Sequence, residues 1–352
     1  MTKKEEKIKK FNPCENINRS YNIFGLPFNA SESKVILIPV PWDVTVSNSD
    51  GASKAPEAIF EASFQIDLYD EFIEDAWKIG ISMEYTPEYW FDKNKKLRVK
   101  AEEFINYLEN KLNEKSLKRL KQIRRNVNEI NHECEMLMRW VKDVSTDFLK
   151  QEKIVGVVGG DHSTSLGLLQ SLAEKNEEFG ILQIDAHADL RRNYQHFRYS
   201  HASAMYNALA IPQVKKIVQL GIRDFCEEEM DRINKSKGRI VSFTDRTLKN
   251  QQFNGKSWHE LAQEIIEQLP KNIYVSFDID GLDPSLCPNS GTPVPGGFQF
   301  NEIFYLLELL IKNKKRIIGF DLCEVAPGDN GWDAYVGAKA LYKLAIIAAK
   351  SN

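Results

Sequence analysis

Three ionisable side chains, Asp185, His187 and Asp189, follow directly on the apolar segment 180–184, which predicts a short buried strand. In an extended backbone successive side chains point to opposite faces, so these three are expected to share one face. Burying two carboxylates without partners costs several kcal/mol. A bound cation is the simplest partner, because carboxylates and imidazoles are common ligands of divalent metals. The run therefore predicts a metal site at a strand end.

Two further apolar segments end in the same way. Asp278 and Asp280 close segment 273–277, and they are again two residues apart. His162 follows segment 154–158 and two glycines that permit a tight turn. The carboxyl ends of parallel strands meet at one edge of an open α/β sheet, where such folds bind their ligands. Because these groups exceed the needs of one divalent ion, we expect two ions that share bridging carboxylates.

Short apolar segments alternate with amphipathic ones along the chain. The strands predicted in this way are 35–40, 78–81, 154–158, 181–184, 217–220, 240–243, 273–277 and 317–320. Helical patterns lie between them, for example at 258–268 and 301–312. A βα order of this kind favours a parallel sheet with helices on both faces. We predict a three-layer α/β/α fold with a mostly parallel sheet of about eight strands.

The chain divides into a short arm and one domain. Residues 1–30 are predicted to be a polar N-terminal arm, because lysines crowd residues 3–10, and residues 31–352 form a single domain. From residue 88 to residue 155 there is no glycine or proline, and apolar residues recur at intervals of three and four. This pattern predicts a helical insert at about 90–150, either one long helix or an antiparallel pair, that lies on the core. A role of the insert in binding a partner or a second copy stays open.

Composition excludes several classes of protein. A net charge of −3 gives no sign of a nucleic-acid binder, and no apolar run approaches the roughly 20 residues of a membrane span. The N-terminus lacks the apolar core of a signal peptide. Five cysteines without a CxxC pair favour free thiols in a reducing cytoplasm. Segment 156–160 is rich in glycine but lacks the spacing of nucleotide-binding loops.

Three motifs in combination resemble the signatures of the ureohydrolases, the family of arginase, agmatinase, formimidoylglutamase and guanidino-acid hydrolases. They are Gly-Gly-Asp-His-Ser at 159–163, Asp-Ala-His-Ala-Asp at 185–189 and Ser-Phe-Asp-Ile-Asp-Gly-Leu-Asp-Pro at 276–284. The resemblance runs from about residue 35 to the C-terminus. It implies an arginase-like α/β domain, a binuclear manganese centre and a homo-oligomer, either a trimer or a hexamer. Related hydrolases that depend on nickel share the same signatures, so nickel stays open as the metal.

The resemblance also implies a set of metal ligands. They are His162, Asp185, Asp189 and Asp278 for one ion, and His187, Asp185, Asp278 and Asp280 for the other. Asp185 and Asp278 then bridge the two ions. Two cations lower the pKa of a bridging water, and the hydroxide formed near neutral pH attacks the guanidinium carbon to release urea and an amine. Asp189 is expected to orient this hydroxide.

Two further residues match positions with a role in the family's chemistry. Glu324 matches the carboxylate that pairs with the guanidinium, where a charge-assisted hydrogen bond explains the need for an acid. His201 matches the histidine that passes a proton to the leaving amine, and the pKa of an imidazole suits that task. A packing or capping role for His201 stays open.

The loop after Asp189 favours agmatine as the substrate. The Asp-Leu-Arg-x-x-Tyr pattern at 189–194 and Ser-His-Ala at 200–202 resemble agmatinases, whereas arginases carry an Asn- and Ser-rich loop there. Arg191 is a candidate substrate-binding residue, since with Arg192 and Arg198 it makes the loop cationic and suited to a guanidino acid. Guanidino acids, guanidine and arginine therefore stay open as substrates. A non-catalytic, metal-binding scaffold is the alternative of another class, and retention of every metal ligand weighs against it.

Overall fold

A computed structural model describes residues 2–15, 18–109 and 117–352 of the chain. Its strands are β1 (Val35–Val40), β2 (Ile81–Met83), β3 (Ile154–Gly159), β4 (Phe179–Ile184), β5 (Val214–Leu220), β6 (Ile240–Phe243), β7 (Asn272–Asp278) and β8 (Arg316–Cys323). Its helices are α1 (Lys3–Lys10), α2 (Ala55–Ser63), α3 (Glu88–Glu109), α4 (Leu117–Lys150), α5 (Leu166–Lys175), α6 (Ala204–Ala208), α7 (Glu227–Lys235), α8 (Asp245–Phe253), α9 (Trp258–Glu267), α10 (Phe300–Lys312) and α11 (Trp332–Lys350). The predicted alternation of strands and helices is thus confirmed.

The strands form one open sheet in the order β2-β1-β3-β8-β7-β4-β5-β6, and every neighbouring pair is parallel. The eight predicted strands are all present, but the second was placed too early. Residues Ala76–Ile79 form a 3-10 turn, and the strand begins only at Ile81. Its apolar residues are too few for periodicity alone to separate a turn from a strand.

Hydrophobic clusters cover both faces of the sheet. One cluster contains residues of α2, α9, α10 and α11, and the other contains residues of α3, α4, α5 and α6. Strands between them, such as β3 and β4, are buried at every residue, as expected for a parallel sheet covered on both sides. The predicted three-layer α/β/α architecture is therefore confirmed. None of the described helices is long and apolar enough to cross a bilayer.

The predicted insert is an antiparallel pair, α3 and α4, here called the insert hairpin. Lys100 pairs with Glu129, and nearer the start of α3 the ring of Trp90 lies 5.8 Å from that of Trp140. The connection at 110–116 lies outside the described residues. Helix α4 packs closely on α5, because a Cβ on Gly167 would come within 2.5 Å of a backbone oxygen of α4. The hairpin therefore lies on the domain, as its apolar periodicity predicts.

The structure corrects the prediction of a polar arm over residues 1–30. Helix α1 buries no residue, as its lysines indicate. Four apolar residues after it nevertheless belong to the core: Ile23, Phe24, Leu26 and Phe28. The ring of Phe24 lies 5.1 Å from that of Tyr342 on α11. This apolar group is short and stands among polar residues, so composition over a long window conceals it.

We expect Phe24→Ala to destabilise the fold by about 3 to 5 kcal/mol, because it empties a filled part of the core. Tyr69→Ala is the control, since this side chain is 83% exposed and its loss should cost less than about 0.5 kcal/mol. Urea denaturation followed by circular dichroism measures both. Equal midpoints for the two variants would show that residues 23–28 do not pack on the domain.

Candidate metal centre

The six predicted metal ligands meet at the carboxyl edge of four adjacent strands, β3, β8, β7 and β4. They are His162, Asp185, His187, Asp189, Asp278 and Asp280. All are buried except His187, whose side chain is 23% exposed. The topology places them together although they come from three separate parts of the chain. This is the edge at which open α/β sheets bind ligands.

The ligand atoms form two groups. In the first, Nδ1 of His162 lies 2.8 Å from Oδ2 of Asp189, 3.1 Å from Oδ2 of Asp185 and 3.6 Å from Oδ2 of Asp278. In the second, Nδ1 of His187 lies 3.0 Å from Oδ2 of Asp280 and 3.7 Å from Oδ1 of Asp185. Asp185 therefore turns one oxygen to each group, which is the arrangement of a bridging carboxylate.

Turns, and not an extended strand, bring these acids together, which corrects the expectation of simple alternation. Strand β4 ends before Asp185, whose Oδ1 accepts a hydrogen bond of 2.6 Å from the backbone N–H of His187. Asp189 has a φ of 52°, in the left-handed region. Asp278 Oδ1 likewise accepts the N–H of Asp280 at 2.9 Å. The predicted ligands are therefore oriented by turns that their own side chains stabilise, and not by an extended strand.

The geometry fits divalent cations. When both imidazoles carry their proton on Nε2, two buried atoms, Nδ1 of His162 and Oδ2 of Asp280, have no hydrogen-bond partner among the described residues. Each belongs to one of the two groups. Ligand atoms that share an ion at about 2.1 Å stand roughly 3.0 to 3.4 Å apart, and the separations within the two groups, 2.8 to 3.7 Å, centre on that range. A pair of cations would satisfy both orphaned atoms and offset the carboxylate charges.

A hydrogen-bonded row of polar side chains supports the site from within the sheet. Gln219, Gln183, Ser276 and Asp321 are register partners on the adjacent strands β5, β4, β7 and β8. Gln219 donates to Gln183 at 2.7 Å, and Gln183 donates to Asp185 Oδ2 at 2.8 Å. Ser276 donates to Asp321 at 2.8 Å. Gln219 and Gln183 therefore hold Asp185, and Ser276 and Asp321 form a second pair that joins β7 to β8.

The same row fixes the tautomer of His162. Because the Ser276 hydroxyl donates to Asp321, it accepts from Nε2 of His162, 2.8 Å away. A neutral imidazole then carries its proton on Nε2 and turns the lone pair of Nδ1 to the carboxylates. Partners of this kind orient metal-ligating histidines and raise their basicity.

Without ions, protons offset the negative charge. Burial opposes protonation of His187, but Asp185 and Asp280 outweigh it and raise its pKa to about 11. His162 has its pKa raised well above the usual value by Asp185 and Asp189 in the same way, against burial. Burial and the charge of Asp185 raise the pKa of Asp189 to about 7. The ion-free site is therefore protonated near neutral pH.

Glu324 lies beside the first ligand group. It is 5% exposed, follows β8 and accepts the backbone N–H of His162 at 2.9 Å. Its φ of 63° is strained for a residue with a side chain. Burial, and then the charge of Asp161, raise its pKa well above the usual value. A buried carboxyl group of this kind would gain from a cationic partner.

A cavity of about 140 Å³ opens onto the two ligand groups. Its wall includes the predicted residues His187, Asp189, Arg191 and His201. Nδ1 of His201 lies 3.3 Å from the hydroxyl of Ser200. Burial and the charges of His187 and His162 lower the pKa of His201 to about 3, so its imidazole is neutral in the ion-free chain.

The charge of Arg191 is compensated within the protein. Its Nε lies 3.8 Å from Oε2 of Glu229, and its guanidinium lies over the ring of Tyr194 at 4.9 Å. Glu229 is buried and also accepts the N–H groups of Leu190 and Cys226, each at 3.0 Å. Arg191 therefore lines the cavity without being a free cation.

Sequence reasoning missed several residues of the site. Asp224 lines the cavity and has a carboxylate oxygen 4.0 Å from Nε2 of His187. Asp224 comes after β5, just as the predicted acids come after their strands. Its position in the sequence could therefore have indicated that it belongs to the site. Asp321 was a second signal, because an acid within an apolar strand needs a partner. No such signal marked Ser276, because the residues that lie beside it depend on the order of the strands in the sheet.

Comparison with known proteins places the chain among relatives. Residues 33–346 match the arginase family. The chain belongs to the arginase family. An N(1)-aminopropylagmatine ureohydrolase of Thermus thermophilus is 28% identical over 311 residues, covering 88% of this chain and 89% of that protein. An agmatinase of Halalkalibacterium halodurans is 30% identical over 197 residues, covering 55% and 61%.

Solved structures agree on the fold of the family. The agmatine ureohydrolase of Thermoplasma volcanium superposes with a TM-score of 0.69 at 21% identity, and the alignment covers 98% of each chain. An arginase of Bacillus subtilis gives a TM-score of 0.61 at 20% identity, with coverage of 89% and 98%. These likenesses confirm the predicted arginase-like fold.

Metal binding is expected to release protons, because histidine ligands with raised pKa values must lose theirs to coordinate an ion. Calorimetric titration of Mn²⁺ near pH 7, in buffers of different ionisation enthalpy, counts them. Affinity should rise with pH. His187→Ala should lower the proton count, and His259→Ala, at an exposed position, should not. A binding heat that is independent of buffer would contradict the protonated state.

Ser276→Ala should lower metal affinity roughly 10- to 100-fold, because it removes the partner that orients His162. Ser285→Ala is a matched control, since that hydroxyl bonds only to Asp283 in an exposed turn. Competition with a chelator measures both dissociation constants. The same affinity in both variants would mean that the polar row does not orient the ligand.

Proposed function

We propose that the chain is a binuclear-metal hydrolase that cleaves a C–N bond of a linear guanidino compound and releases urea and an amine. The substrate we favour is agmatine. The observation that carries this proposal is the pair of ligand groups that share Asp185, with the buried carboxyl group of Glu324 beside them. Membership of the arginase family supports the same reaction class.

Each predicted residue has a distinct task in this proposal. The first and second ligand groups would hold two divalent ions, which when bound lower the pKa of a water and supply hydroxide near neutral pH. Asp189 has its Oδ2 at the first group and lines the cavity, so it is placed to orient the nucleophile. Glu324 would bind the guanidinium, whose charge offsets the cost of burying this carboxylate.

His201 is proposed to pass a proton to the leaving amine. It lines the same cavity as Asp189 and is held beside Ser200 and the ring of Tyr194, 6.0 Å away. Its pKa of about 3 in the ion-free chain makes its protonated form a strong acid, so a proton that His201 accepts would pass readily to an amine.

The charges at the cavity favour a substrate with a cationic tail. Arg191 is paired with Glu229 and stacked on Tyr194, so it is a poor receptor for a substrate carboxylate. Asp224 lines the same cavity, and its side chain is 70% exposed. We therefore assign Arg191 to the cavity wall and favour amines over guanidino acids.

A longer polyamine is the second candidate. N(1)-aminopropylagmatine ureohydrolases are among the relatives that align over most of the chain, at 28% identity in Thermus thermophilus. Such a substrate presents the same guanidinium and carries an additional positive charge on its tail. An exposed acid at the cavity suits this tail as well as that of agmatine.

Three further expectations complete the proposal. They are manganese as the ion, with nickel as the alternative, the cytoplasm as the compartment, and a trimer or hexamer as the assembly. Each derives from the resemblance and the composition described above. The expected partner is the small guanidino substrate. We expect neither nucleic acid nor a membrane as a partner.

The decisive experiment is urea release by the purified protein loaded with Mn²⁺. The substrates are agmatine, N(1)-aminopropylagmatine, guanidinobutyrate, arginine and guanidine. We expect turnover of the two cationic amines, with a higher kcat/KM than for the guanidino acid, because Asp224 at the cavity attracts a cationic tail and repels a carboxylate. Asp278→Ala serves as the blank, since the loss of a ligand should abolish turnover.

The outcomes separate the alternatives. A preference for guanidinobutyrate would show that Arg191 binds a carboxylate. Turnover of guanidine alone, with nickel, would contradict the substrate while preserving the ligand set. A protein that binds two ions per chain and releases no urea from any of the five compounds would favour the scaffold.

A further inference from the structure

The insert hairpin contacts two of the loops that wall the cavity. The first is the β1 loop, residues 41–51, which contributes Ser47 to the cavity. The second is the β4 loop, residues 190–201, which contributes Arg191, Tyr194 and His201. None of the described hairpin residues lines the cavity, so these loops are the hairpin's route to the cavity wall.

Helix α3 holds the β1 loop by its backbone. Asn94 Nδ2 donates to Asp43 Oδ1 at 2.8 Å, and Asn94 Oδ1 accepts the N–H of Asp43 at 2.9 Å. Arg98 donates to the carbonyl of Val46 at 2.6 Å and to that of Val44 at 3.3 Å. Asn94 and Asp43 are both buried. These contacts fix the segment that leads into Ser47.

Helix α4 holds the β4 loop in a matching way. Asn131 Nδ2 donates to the carbonyl of His196 at 3.2 Å, and its Oδ1 accepts the N–H of Arg198 at 2.8 Å. From α3, the buried ring of Phe104 packs on the ring of Phe197 at 5.6 Å. The side-chain amide of Asn131 thus bonds to one residue within the short turn at 194–197 and to the residue that follows the turn.

This turn is strained, which explains why it needs a support. Gln195 and His196 have φ values of 48° and 63°, in the left-handed region that residues with side chains rarely adopt. Such strain costs on the order of 1 to 3 kcal/mol per residue and persists only where surrounding contacts hold it. Asn131 bonds to the carbonyl of one strained residue and to the N–H two residues later.

The two loops also meet each other. The hydroxyl of Thr45 donates to the carbonyl of Tyr199 at 3.4 Å. In addition, Asn48 donates to the carbonyl of Gly291, next to the cavity residue Thr292. The β1 loop therefore contacts both the β4 loop and the segment beside Thr292, and the hairpin contacts the β1 and β4 loops.

We propose that the insert hairpin is a clamp that sets the cavity rim for the substrate's tail, with Asn131 and Arg98 as its positioning residues. The inference rests on the proposed function for the identity of the substrate. The described hydrogen bonds of Asn131 and Arg98 to the two loops involve none of the predicted metal ligands. Loosening the clamp should therefore weaken recognition of the tail and leave ion binding intact.

The test compares Asn131→Ala with Asn128→Ala, a matched control that removes an exposed asparagine from the same helix. Asn131→Ala should raise the KM for agmatine roughly tenfold, the loss of about 1.4 kcal/mol from two hydrogen bonds, with kcat changed less than about twofold. Both variants should bind two Mn²⁺ per chain. Asn131→Asp keeps the acceptor for Arg198 and should give an intermediate KM.

Hydrogen exchange gives a readout that needs no turnover. Peptides that cover the β4 loop should exchange faster in Asn131→Ala than in wild type, and Asn128→Ala should match wild type. An Asn131→Ala protein with the control's KM overturns the clamp, whatever its exchange. If wild type releases no urea, the proposed function fails instead, and unchanged exchange in Asn131→Ala then overturns the clamp on its own.

Discussion

Mutual repulsion between buried carboxylates is the constraint on which the site depends. Asp185, Asp189, Asp278 and Asp280 are each less than 5% exposed and lie at one edge of the sheet. Burying such charges is favourable only with partners. In the ion-free chain two protonated imidazoles supply part of the compensation. Four carboxyl groups face only two imidazoles, so this compensation is incomplete, and bound cations would complete it.

Sequence predicted that these side chains would lie together, because each set follows a strand with a clear apolar pattern. It also predicted the sheet, since alternating strands and helices allow few architectures. It could not predict the row through Ser276 and Asp321, because strand order decides which residues become neighbours. The turns at Asp185 and Asp278 were missed for a related reason. Their hydrogen bonds form between side chain and backbone, and periodicity does not report them.

Counting charges along the chain was a poor guide to the cavity. Three arginines in the β4 loop indicated a cationic surface, yet Arg191 is paired with Glu229, 38 residues later in the chain. Arg198 lies over the ring of Tyr199. Conversely, Asp224 contributes a negative charge to the cavity, although it belongs to none of the three sequence motifs. Composition is equally misleading in the N-terminal segment, because Phe24 is buried within a stretch of mostly polar residues.

The order of the strands has a consequence for how the protein is made. β3 and β4 carry His162 and Asp185, but in the sheet they are separated by β8 and β7, the last two strands to leave the ribosome. Residues 162–189 hold four of the six predicted ligands, yet neither group is complete before β7 and the turn after it add Asp278 and Asp280. We therefore expect a product that stops before β7 to lack both ligand groups and to bind divalent ions weakly.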